Sequence, residues 1–125
     1  MPTTATGSDD GGVSWRDLSA FQRDILVELL RLERSEDESY GLATKRGLEE
    51  HGYGEVNHGR LYPNLDELED SGLVERGEID KRTNSYELTG AGRSLVEWHV
   101  RRVADLAGIE IREQADRVVA DGRGR

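Results

Sequence analysis

The sequence predicts a mostly helical α+β fold: a winged helix-turn-helix followed by a long C-terminal dimerisation helix. Three observations predict it. Leu61, Leu65 and Leu68 recur at helical spacing behind Asn57, an N-cap residue type. Two β-forming runs, Leu73 to Ile79 and Ser85 to Leu88, flank the polar turn Asp80-Lys81-Arg82-Thr83-Asn84. A long apolar pattern of helical period then opens at Thr89-Gly90.

The elements follow in order. Residues 1–14 are rich in Thr, Gly and Asp and read as a disordered tail. A winged-helix domain is expected over 15–90, a dimerisation helix over 91–120 that Gly108 weakens, and a frayed tail over 121–125. In the first helix, Ser19 to Arg34, residues Phe21, Ile25, Leu29 and Leu32 share a stripe that Leu26 and Leu30 broaden. Ser19 followed by Gln22 fits a capping box. A second helix is expected from about Tyr40 to Glu50, with Tyr40, Ala43, Thr44, Gly47 and Leu48 on one face. Gly52 and Gly54 end it. The third helix starts at Asn57 and stops at Ser71-Gly72. Pro63 lies inside it, where a missing N–H predicts a kink or an irregular start.

Composition narrows the function classes. The chain has 125 residues, 26 acids against 17 bases, and a net charge of -9. Only Lys45 and Lys81 are lysines; the other bases are arginines. A strongly acidic, lysine-poor surface is the pattern expected of a protein working at very high salt, although an ordinary acidic protein shares the net charge. With no cysteine, disulfides and thiolate metal sites are excluded. No apolar run is long enough to span a membrane and the N-terminus lacks a signal-peptide pattern, so a cytoplasmic location is expected. His51, His58 and His99 lie in separate elements without metal-ligand spacing, no phosphate-binding glycine loop is present, and no carboxylate pair stands out. Neither a cofactor nor catalysis is expected.

The chemistry that remains is nucleic-acid recognition. From Val56 to Leu65 this acid-rich chain has no acidic residue. The leading residues of a recognition helix meet base edges while its other face sits in the core. Arg60 suits bidentate contact with guanine and Asn64 with adenine. His58 can meet a base or a phosphate, Gly59 admits close backbone approach, and Tyr62 offers a hydroxyl to phosphate; Asn57 belongs to the same leading end. Taken alone, the segment reads equally well as a polar surface helix. A second acid-free island, Lys81 to Tyr86, alters that balance: Lys81, Arg82 and Thr83 at a hairpin tip can clamp phosphate or enter a minor groove. Lys45 and Arg46 can touch the DNA backbone or simply solvate the second helix.

The terminal helix carries two strips, one of Leu95, Trp98, Leu106 and Ile109, the other including Val100 and Val103. Together they exceed what one small domain can cover, which points to a homodimer. Two recognition helices would then lie about 34 Å apart, one turn of DNA. DNA affinity falls with salt as counterion release loses its drive. At high salt, therefore, groove contacts and DNA shape are expected to carry specificity, with inorganic cations bridging carboxylates and phosphates.

Several segments together resemble the PadR family of transcriptional regulators. They are Phe21-Gln22-Arg23-Asp24-Ile25-Leu26, Tyr40-Gly41-Leu42-Ala43, Gly59-Arg60-Leu61-Tyr62-Pro63-Asn64-Leu65, Gly72-Leu73-Val74, and Tyr86-Glu87-Leu88-Thr89-Gly90-Ala91-Gly92-Arg93. The Leu-Tyr-Pro and Tyr-x-Leu-Thr-x-x-Gly-Arg elements are the more specific, and the likeness covers roughly residues 18 to 100. It implies a homodimer, DNA contacts from the third helix and wing, and usually repression. Within the family the acidic, compact chain is similar to a haloarchaeal regulator of the oxidative-stress response, which implies a role there. The single terminal helix leaves little room for the effector pocket that longer members carry. The alternative is a winged-helix module for protein association in the transcription machinery, which would need no basic wing.

Overall fold

The computed structural model describes residues 12–35 and 41–112. A 3-10 turn at Trp15–Asp17 leads into α1 (Ala20–Ser35), α2 (Gly41–Leu48), an irregular π turn (Glu49–Tyr53), α3 (His58–Asp70), β1 (Val74–Asp80), β2 (Thr83–Leu88) and α4 (Gly90–Ala107). The two strands pair antiparallel as a single hairpin. The architecture is the mostly helical winged helix-turn-helix that the sequence pattern predicts.

The start of α1 forms because Ser19 and Gln22 close the capping box reciprocally. The Gln22 amide donates to Ser19 Oγ at 3.1 Å and the Ser19 amide to Gln22 Oε1 at 3.2 Å. Ile25, Leu26, Leu29 and Leu32 then bury the inner face against Leu61, Leu65 and Leu68 of α3 and Leu95 and Val96 of α4. Each such side chain contributes roughly 1.5–3 kcal/mol on burial. Thr44, Gly47 and Leu48 bury the inner face of α2. Tyr40, expected to open that helix, lies outside the described residues.

The Asn57 side chain caps α3, accepting from the Arg60 amide at 2.9 Å. Pro63 lies inside this helix, which runs unbroken to Asp70. The proline sits in the second turn, so it removes one backbone bond near the helix start and spares the three buried leucines that anchor α3.

The hairpin turn is tighter than the sequence suggests. A five-residue turn is expected over 80–84, but Asp80 pairs with Thr83, leaving only Lys81 and Arg82 at the tip. Asp80 accounts for the difference: its carboxylate accepts the Arg82 amide at 2.8 Å and turns the chain within two residues. Thr83 and Asn84 consequently belong to β2, and the register is irregular between Glu78 and Asp80.

Thr89 caps α4, accepting from the Gly92 amide at 3.0 Å. The helix closes at Ala107, short of the expected span to 120 and just before the glycine expected to weaken it. Gly108 adopts φ 74, a left-handed conformation unstrained only for glycine, and its amide and that of Ile109 satisfy the last carbonyls. The remainder of the expected 91–120 span, beyond Arg112, lies outside the described residues, as do residues 1–11.

Candidate nucleic-acid interface

Helix α3, through Tyr62, and the wing share one cleft of about 500 Å³. It is lined by Gly41 and Leu42 of α2, Tyr62 of α3, and Asp80, Arg82, Thr83, Asn84 and Tyr86 of the hairpin. Helix packing places α3 there: Leu61, Leu65 and Leu68 are almost fully buried, which turns His58, Gly59 and Arg60 outward at the helix start, where all three are exposed. Lys81 and Arg82 are exposed at the wing tip.

The expected reading residues differ in how free they are. Arg60 is exposed, but its guanidinium lies over the Phe21 ring at 3.9 Å and within 5.4 Å of the Tyr53 ring. His58 leans on Tyr62 at a ring separation of 5.4 Å. Tyr62 is half-buried and also meets Tyr86 at 6.2 Å. Burial raises its phenol pKa above the ordinary value, with the nearby Tyr86 adding to the effect. The Tyr62 hydroxyl packs so closely on α2 that a Cβ at Gly41 would lie 2.2 Å from it.

Asn64 is engaged within the protein. Its Oδ1 accepts from Gln22 Nε2 at 3.0 Å and its Nδ2 donates to the Arg60 carbonyl at 2.7 Å. Each atom keeps one further hydrogen-bonding site, but the two bonds restrict how the amide can turn toward a base. Asn57 likewise spends its carbonyl on the cap. Lys45 pairs with Glu49 at 2.9 Å. That carboxylate also accepts the Val56 amide at 2.8 Å, which with Lys45 holds its pKa below the ordinary carboxylate value. Lys45 therefore braces the loop into α3, whereas Arg46 is exposed. Thr83 is half-buried in β2, inside the cleft and one step behind the tip.

The terminal helix divides the expected dimer residues. Leu95 is fully buried in the chain's own core, so it is not available to a partner. It faces α1, since the first turns of α4 cross that helix, where Arg93 pairs with Glu33 at 2.7 Å. Trp98 packs partly against the core. Val100, Val103, Leu106 and Ile109 are exposed, Leu106 at 73%. Ile109 lies just past the helix rather than in it.

Gln22, Tyr53 and Asp80 escape a reading of the sequence as site residues. Gln22 shows locally only as a capping residue, and its bonds to Asn64 and Glu67 span more than 40 positions. Tyr53 sits between two glycines in what reads as a turn. The three histidines are far from one another in role: His51 meets Glu28, His58 meets Tyr62, and His99 stacks on Trp15. Among the described residues no helix is long and apolar enough to cross a membrane.

The family model described as "Transcriptional regulator PadR-like family" matches residues 29–97, more than half of the chain. Among solved structures, RosR of H. salinarum is 48% identical, with a TM-score of 0.67 over 85% of this chain and 94% of that one. MarR from E. coli, as a mutant complexed with operator DNA, is 27% identical over 81% of this chain and 71% of its own, with a TM-score of 0.55. MepR of S. aureus in a DNA complex is 20% identical over 74% of this chain and 62% of its own, with a TM-score of 0.60, a likeness of fold alone. No match was found among curated proteins. The chain belongs to the PadR-like family of transcriptional regulators.

Proposed function

We propose that this regulator is a homodimeric, sequence-specific DNA-binding protein of a high-salt cytoplasm. One observation carries the reading: an acid-free helix start presents His58 and Arg60 outward, and Tyr62 of the same helix lines one cleft with Arg82 and Thr83 of the wing. Likeness to a MarR–operator complex supports DNA as the partner. Arg60 is assigned to a base edge, His58 to a base or phosphate, Tyr62 and Thr83 to phosphate in the cleft, and Lys81, Arg82 and Arg46 to the backbone. Asn64, Asn57 and Lys45 are assigned to holding α3, and Gly59 to close backbone approach. Dimerisation is assigned to the exposed strip of Val100, Val103, Leu106 and Ile109, with Trp98 at its edge.

Inorganic cations belong to the same reading. Asp80 lines the cleft, and the Arg82 amide, aided by Thr83, holds its pKa below the ordinary carboxylate value. A carboxylate facing phosphate is repulsive unless a cation lies between them. The resemblance of the sequence to a haloarchaeal regulator of the oxidative-stress response favours a place in that response, by a route other than thiol chemistry, since the chain has no cysteine.

Selection from a randomised duplex pool in molar KCl tests the function. The expected result is an enriched inverted repeat that binds more tightly than a shuffled duplex. An intact dimer that enriches nothing would overturn it in favour of a protein-association module.

A further inference from the structure

We infer that Tyr53 is a positioning residue that sets base specificity by holding Arg60 in its reading pose, an inference that rests on Arg60 acting as a base reader. Tyr53 ends the π turn between α2 and α3, and its hydroxyl donates to Asp24 of α1 at 2.5 Å. The ring stands edge-on to Phe21, at a centroid separation of 5.2 Å and an interplanar angle of 80°. The two rings form a corner, and the Arg60 guanidinium occupies it, 3.9 Å from Phe21 and 5.4 Å from Tyr53.

Stacking and base reading use different parts of arginine. An aromatic ring attracts the guanidinium through its charge and its flat face, while a guanine takes the N–H donors along its edge. Holding Arg60 against the rings is therefore compatible with base reading. What Arg60 loses is rotamer freedom, which an exposed arginine otherwise surrenders on binding. The cap reinforces this, because Asn57 Oδ1 accepts the Arg60 amide and so holds the backbone of the same residue. Phe21 is nearly buried and doubles as a core residue, whereas Tyr53 is only half-buried. Tyr53 is thus the wall of the corner that can be altered with least damage to the core.

The test uses the full-length protein and the selected operator, with duplexes changed at each base position in turn. Arg60→Ala identifies the position Arg60 reads. Tyr53→Leu is expected to lose roughly five- to ten-fold of the discrimination at that same position, with affinity for non-cognate duplex unchanged. Tyr53→Phe, which keeps the ring, is expected to retain most of it. The double variant is expected to discriminate no worse there than Arg60→Ala alone. In the free protein, the Arg60 Nε–Hε resonance is expected to lose its ring-current shift in Tyr53→Leu and to keep it in Tyr53→Phe. A uniform loss on all sequences, additivity in the double variant, or an unmoved Arg60 resonance would overturn the inference and leave the DNA-binding function standing. If Arg60→Ala changes no base preference while binding stays selective, the reader assignment fails and the inference falls with it.

Discussion

Arg60 and Asn64 lie one helical turn apart on α3 and divide its labour. The guanidinium faces outward on an aromatic corner, while the Asn64 amide bonds back to Gln22 and to the Arg60 carbonyl. Arg60→Ala is expected to cost roughly 1–3 kcal/mol on the operator and to relax selectivity at one base position. Affinity measured on duplexes changed at single positions checks this. Gly41 presents a different kind of dependence, because a methyl group there would collide with the Tyr62 hydroxyl. Gly41→Ala is expected to destabilise the fold by roughly 1–3 kcal/mol, as other overpacked sites do, and urea unfolding measures it. His99 supplies a pH dependence. Burial lowers its pKa below 6.5, and Arg102 and Arg23 push it the same way. The unfolded chain then binds the proton more readily than the fold does. Stability is full above the ordinary histidine pKa and falls as pH drops below it toward the lowered value. Replacing His99 with Leu is expected to flatten that slope in urea unfolding between about pH 8 and 5.5.

At the level of elements, α4 joins the domain core to an apolar strip. Its first turns belong to the core through Leu95 and Val96, and its last turns expose Val100, Val103 and Leu106. Substitutions should therefore separate cleanly. Leu106→Glu is expected to yield a folded monomer by analytical ultracentrifugation, with operator affinity lost because two half-sites are no longer linked. Leu95→Ala is expected to leave a cavity and cost roughly 2–5 kcal/mol in unfolding, whatever the oligomeric state. The helices and the hairpin were legible from residue spacing, since leucine periodicity and capping residues are local. One boundary was not, and another showed in the sequence only as a weak point at Gly108. The tip of the wing tightens because the Asp80 carboxylate turns back onto the Arg82 amide, and the weak point at Gly108 becomes the end of α4 because that glycine takes a left-handed conformation. Both are local events, but each depends on which of several permitted conformations the neighbouring packing selects.

For the molecule as a whole, the acidic balance of 26 acids against 17 bases opposes a phosphate backbone at every distance beyond direct contact. At molar salt the screening length falls to about 3 Å, so that opposition fades along with ordinary counterion release. Operator affinity is therefore expected to fall only weakly, or to rise, as KCl increases through the molar range. A steep conventional decline, measured by fluorescence anisotropy, would remove bridging cations from the account. Alanine at both Lys81 and Arg82 is expected to weaken binding evenly across sequences, because contacts to phosphate position the protein without reading the bases.

The order of elements, the polarity of each helix face, the acid-free helix start and the basic wing follow from the sequence alone, because periodicity, capping and charge act over a few neighbouring residues. The availability of each side chain is a tertiary outcome. Asn64 and Lys45 look like free polar groups along the chain, yet each is engaged by a partner, one of them Gln22, 42 positions away. Leu95 and Leu106 look alike in a helical pattern, yet one is fully buried and the other largely exposed. Contacts across such separations depend on how α1, α3 and α4 cross, and that geometry is set only when all three bury their apolar faces together.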